Sequence, residues 1–157
     1  MLKSIDYKKY GDIMKRETIR NRIQYVGAGL VIFTTLILAF IIIPGHFVDK
    51  TPGLKLGLAI KMLIVIIILH LLICYAFRKM IIVNKRGGRL RKMVFIITGI
   101  GLLVLGLFLS DGAFAMSGHA NMQYVAISWF ICVAFDLIAG ILVFIALFLQ
   151  PKMVDAE

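Results

Sequence analysis

Two ionisable side chains stand in the middle of long apolar runs: His70, within the run 57–77, and Asp136, within the run 124–149. Such residues are costly in hydrocarbon and mark functional positions. His70 lies about 13 residues into its run and Asp136 about 12 into its own. If both runs enter a membrane from the same face as helices rising about 1.5 Å per residue, the two side chains reach similar depths. They can then meet near the midplane, provided the helices are neighbours. Three chemistries suit that meeting. His70 could ligate the iron of a haem b, with Asp136 orienting a ring N–H. The pair could instead relay protons, since imidazole titrates near physiological pH. Or it could be a structural interhelix hydrogen bond.

Other residues suggest further sites. Lys61 opens the second apolar run, and the nine positions between it and His70 put the two on nearly opposite helix faces. It suits either snorkelling to the interface or an anionic ligand such as a porphyrin propionate. Met116, His119 and Met122 recur every three residues in a segment expected to be a loop, and His46 lies in another. Thioether and imidazole ligands favour soft copper(I), so these four form a candidate copper set, with ordinary loop packing as the plainer reading. Cys74 and Cys132 both fall inside apolar runs, where they read as small packing residues.

The elements that must position these residues follow from composition. Of the 157 residues, 61% are hydrophobic, and the mean hydropathy is +0.98. The excess falls in four runs, expected as transmembrane helices over 23–43, 57–77, 93–109 and 124–149. Pro44-Gly45 is expected to stop the first, and the second to have room to continue through Met80–Val83. Residues 110–123 read as a polar loop, and Lys85-Arg86-Gly87-Gly88-Arg89 belongs to a tight basic turn. The leader 1–22 is a basic cytoplasmic segment, either a short interfacial helix or a solvated tail, and 151–157 is a cytoplasmic tail. The first run is too long for a signal-peptide core and no A-x-A site follows it, so it is expected to be a retained anchor.

The net charge of +10 is spread along the flanks of the runs. That pattern excludes nucleic acid as a partner and gives orientation instead. Seven Lys/Arg precede the first run and seven more lie within 78–92, against Lys50 and Lys55 in the loop after the first run and none in 110–123. The positive-inside rule then places both chain ends in the cytoplasm of a cell that carries the protein in its plasma membrane. The fold class expected is all-α, an antiparallel four-helix transmembrane bundle, because only helices and closed barrels satisfy the backbone in lipid. Around Asp136, the stripe Trp129, Cys132, Val133, Ala139 and Gly140 is expected to face protein. Gly99, Gly101 and Gly106 offer close-packing positions on the third helix.

Leu58-Ala59-Ile60-Lys61 opening a span, His70 later in it, a basic turn, and Arg89-Leu90-Arg91-Lys92 opening the next span together resemble small membrane proteins of the CopD/HemJ-like kind. The likeness covers about a third of the chain, 57–109. It implies a helical bundle in which Lys61 and His70 serve haem-type or copper-related chemistry.

No GxSxG, HExxH, CxxC or CxxCH occurs, and no pair of carboxylates shares a span. Hydrolase and c-type cytochrome chemistry are therefore not expected. Three functions stay open. The first is a haem- or copper-associated redox or metal-handling protein, which the residues narrowly favour. The second is a non-catalytic anchor or assembly subunit, working with other membrane subunits or as a homo-oligomer. The third is a small transporter or channel. In all three the lipid bilayer is the surrounding partner.

Overall fold

The computed structural model describes residues 2–48, 56–82, 89–118 and 123–149, with side chains over 11–45, 61–80, 92–118 and 123–149. Every described element is helical: α1 (Leu2–Ile37), a π-helical turn (Leu38–Ile42), α2 (Ile43–Val48), α3 (Leu56–Ile82), α4 (Arg89–Ser117) and α5 (Gln123–Phe148). Four helical stretches are long and apolar enough to cross a membrane: Gly11–Gly45, Lys61–Met80, Lys92–Ser117 and Gln123–Phe148. The all-α class and the four apolar helices agree with the sequence reading, as does the continuation of the second span past Phe77.

The interior faces follow a simple rule. Buried positions step by alternating threes and fours, as in Arg20, Gln24, Gly27, Val31 and Thr34 on α1 and Leu38 in the π turn, or Val125, Trp129, Cys132, Asp136, Ala139, Val143 and Ala146 on α5. Leu63, Ile66, His70, Phe77 and Met80 continue the pattern on α3, and Phe95, Thr98, Leu102, Leu105 and Leu109 on α4. This is the spacing of helices that pack at a shallow angle along a seam. The opposite faces carry exposed Ile, Leu, Val and Phe, as helices facing lipid do.

Contact is closest between α4 and α5, next between α1 and α5, and much sparser around α3, which touches α1 and α4. Glycines allow the α4–α5 approach. A Cβ placed on Gly140 would lie 3.3 Å from the Gly99 carbonyl oxygen and 3.0 Å from Leu103, and one on Gly106 would meet Leu137 at 3.0 Å. Gly99 faces the Phe144 ring, whereas Gly101 looks into open space. Two of the three glycines expected to mediate packing on this helix therefore do so.

Two boundaries differ from the sequence reading. The first span does not stop at Pro44-Gly45 but continues through the π turn into α2. Proline lacks an N–H and its ring crowds the carbonyl four residues back, so it usually breaks a helix. Here the turn before it widens, with the Ile43 N–H donating to the Leu38 carbonyl, and Leu38 and Ile42 both stay on the buried seam. Gly45 then passes close to α5, where an added Cβ would lie 2.6 Å from Val125. The second difference is at 110–117, expected to be loop and found to be the last two turns of α4. Ser110 and Ser117 donate their hydroxyls to the Leu107 and Phe114 carbonyls, and Gly112 lets the Trp129 ring lie against the backbone. The leader is helical from Leu2 and runs into the first span without a break.

Candidate functional site

Two apolar clusters divide the interior. One gathers Leu38, Ile42, Leu63, Leu109, Met116, Val125 and Trp129, among others. The second gathers Val31, Phe77, Met80, Phe95, Leu102, Val143 and Ala146. Between them His70 of α3 reaches Asp136 of α5, with Nε2 to Oδ2 at 2.9 Å and both side chains fully buried. The sequence made that contact conditional on the helices being neighbours. In the bundle α3 and α5 pack chiefly through their neighbours α1 and α4, and the two polar side chains bridge them across the centre.

The ring is held at both nitrogens. Nδ1 lies 2.8 Å from the Ile66 carbonyl one turn back on α3, and because a carbonyl only accepts, Nδ1 carries the donated hydrogen. Nε2 is then left facing Asp136. Either Nε2–H donates to an ionised carboxylate, or a neutral imidazole accepts from a protonated one. The two states differ only in where a single proton sits along a 2.9 Å line. Asp136 Oδ1 has no partner among the described residues.

Both ring nitrogens are engaged, Nδ1–H by the Ile66 carbonyl and Nε2 by the Asp136 carboxyl, so a metal would have to displace Asp136 to reach the Nε2 lone pair. Among the described residues no three His, Cys, Asp or Glu side chains are grouped to hold a metal ion. Of the candidate copper set, Met116 is not on a loop: it lies on α4, buried in the first apolar cluster. His119 and Met122 lie outside the described residues, and His46 is on α2 with its side chain outside them. Lys61 is exposed, on the far side of α3 from the buried His70, as its spacing required.

The α5 stripe around Asp136 is as expected: Trp129, Cys132, Ala139 and Gly140 are buried, with Val133 partly so. Cys74 and Cys132 are free thiols, and Cys132 Sγ–H points at the Thr34 carbonyl at 3.9 Å, a weak contact. Three polar residues of α1 were not singled out from the sequence. Arg20 and Gln24 are each 1% exposed and Thr34 is fully buried. Arg20 bonds to Glu17 at 3.3 Å. Both amide atoms of Gln24 and the Thr34 hydroxyl oxygen are without hydrogen-bond partners among the described residues. The signal that could have found them is the seam itself, since residues 20, 24 and 34 fall on the same three-and-four spacing as Val31 and Leu38. The Thr34 carbonyl touches Cys132, and Gly27 faces the Ala139 carbonyl. Asp136 is therefore level with α1 between those two points. At about 1.5 Å per residue, Thr34 is roughly 5 Å to one side of it along the axis and Gln24 roughly 10 Å to the other.

Comparison of the chain with protein-family models, with curated proteins and with solved structures gives no match.

Proposed function

We propose that this is a multi-pass membrane protein that binds and hands on protons at the His70–Asp136 pair, the working centre of a small proton-conducting channel. The observation that carries the reading is the fixed imidazole. With Nδ1 committed to Ile66, the one remaining nitrogen shares a proton with a carboxyl that has a second, unpartnered oxygen in the bundle interior. An unpaired polar atom in such surroundings costs on the order of 1–3 kcal/mol. Water or a passing substrate would relieve that cost at Oδ1.

The unpartnered Gln24 and Thr34 groups on the same seam support a polar track, because buried amides and hydroxyls of this kind recruit ordered water. The basic leader and the basic 78–92 stretch support a cytoplasmic position for both chain ends, in a plasma membrane. Gln24 then lies on the cytoplasmic side of the pair and Thr34 on the outer side.

The test is proton movement in liposomes holding a pH-sensitive dye, with an imposed pH gradient. Wild-type protein is expected to dissipate the gradient, and Asp136→Asn to reduce the rate at least tenfold while keeping its helical content. Wild-type vesicles as tight as empty ones, or an Asp136→Asn variant as fast as wild type, would overturn the proposal.

A further inference from the structure

A groove of about 400 Å³ runs between α3 and α4 on the outside of the bundle, within the roughly 300–1,000 Å³ range of small-ligand pockets. Its floor is Ile66 and Leu105, both buried, and its exposed walls include Val65, Leu69, Val104 and Phe108. Among the described residues Lys61 is the only charged one lining it. The groove exists because α3 is the most sparsely packed of the long helices, leaving a gap on its α4 side.

We propose that this groove holds one acyl chain of an anionic phospholipid, with the headgroup phosphate on Lys61. The 27 residues of α3 make a helix of roughly 40 Å at about 1.5 Å per residue. That exceeds the hydrocarbon thickness of about 30 Å. Its ends therefore project by roughly 5 Å, and Lys61, five residues from the start, lies near headgroup level. From there to Leu69 the groove descends roughly 12 Å into the hydrocarbon, again at about 1.5 Å per residue. A cation at the interface above a narrow apolar slot is the complement of a phosphate above a hydrocarbon chain. Among the described residues Lys61 makes no ion pair, and Asp111, one turn beyond Phe108 on α4, does not reach it. The site does not depend on proton handling at His70.

The experiment is native mass spectrometry of the full chain released from detergent after incubation with equimolar phosphatidylglycerol and phosphatidylcholine. Wild type is expected to retain one phosphatidylglycerol with a preference of about fivefold, the worth of one interfacial lysine against an anionic surface. Lys61→Gln should equalise the two lipids. Val104→Trp, which narrows the groove from an exposed position, should reduce retention of both, with circular dichroism confirming the fold. A preference that survives Lys61→Gln would place the headgroup elsewhere, on the basic leader for example, and overturn the proposal. Retention undiminished by Val104→Trp would do the same for the chain. A lipid-free dimer that dissociates on Val104→Trp would assign the groove to a second copy instead.

Discussion

Replacing His70 and Asp136 singly and together measures what the central contact contributes, and the structure sets different values for the two single variants. In His70→Leu, a change of little volume, Asp136 loses its one partner and keeps two oxygens in the bundle interior. A lost bond plus an unsatisfied buried acid amounts to about 2–4 kcal/mol. In Asp136→Ala the neutral imidazole keeps its Ile66 bond and is left with one idle acceptor, so the cost is about 1–2 kcal/mol. Interhelix hydrogen bonds in membrane proteins average about 0.6 kcal/mol and reach about 1.7 kcal/mol in double-mutant cycles. A fully buried contact of 2.9 Å to a carboxyl belongs near the top of that range, so the expected coupling is about 1.5 kcal/mol. Reversible unfolding by sodium dodecyl sulfate in mixed micelles, followed by far-ultraviolet circular dichroism, supplies all four corners of the cycle. A coupling below about 0.5 kcal/mol, the scatter of independent sites, would show that the two side chains do not meet.

Asp136→Asn should separate fold from chemistry: its amide can donate to Nε2, so stability should fall by less than about 1 kcal/mol even as proton movement is lost. Both quantities come from the unfolding and liposome assays, and a large drop in stability would mean that the carboxyl is needed for more than its proton. Gln24→Leu removes two unpartnered amide atoms and should leave the fold as stable or more so, while slowing proton movement severalfold; an unchanged rate would remove Gln24 from the path. Gly140→Val should cost about 1–3 kcal/mol, because its side chain would press on the Gly99 carbonyl and Leu103. Gly29→Ala, with nothing within 4 Å of an added Cβ, should be neutral or gain up to about 1 kcal/mol from helix propensity. Equal melting of these two variants would deny the close α4–α5 approach.

Much of this arrangement was legible in the residues, because hydrocarbon imposes harsh rules on sequence. Long apolar runs give the four helices that are long enough to cross a membrane. The equal depths of His70 and Asp136 give their contact, which forms across the bundle centre although α3 and α5 are not close neighbours. The errors arose where a local rule yielded to packing. Pro44 ordinarily ends a helix, yet a single widened turn before it relieves the clash and keeps Leu38 and Ile42 facing inward. Ser110, Asp111 and Gly112 look like a loop, but α5 lies alongside them, so Gly112 serves the Trp129 ring, and Ser110 and Ser117 donate to the carbonyls three residues back. Arg20 was hidden by belonging to the charged leader and Gln24 by standing at the mouth of the first apolar run, and the helical continuity of the two brings both onto the buried face. Engagement of both ring nitrogens could not be read from spacing, since it depends on a rotamer that turns Nδ1 to the carbonyl four residues back.

The sparse packing of α3 bears on how firmly that helix is held. Its buried face is otherwise apolar, and in a bilayer lipid tails would be as welcoming to that face as the neighbouring helices are. The His70–Asp136 contact thus acts as a clasp that fixes the vertical register of this one rod. Sliding it by a turn, about 5.4 Å, requires undoing roughly the 1–2 kcal/mol that such a clasp holds in a membrane. That low a value leaves α3 the least firmly held of the long helices, its register resting on one 2.9 Å contact near mid-length.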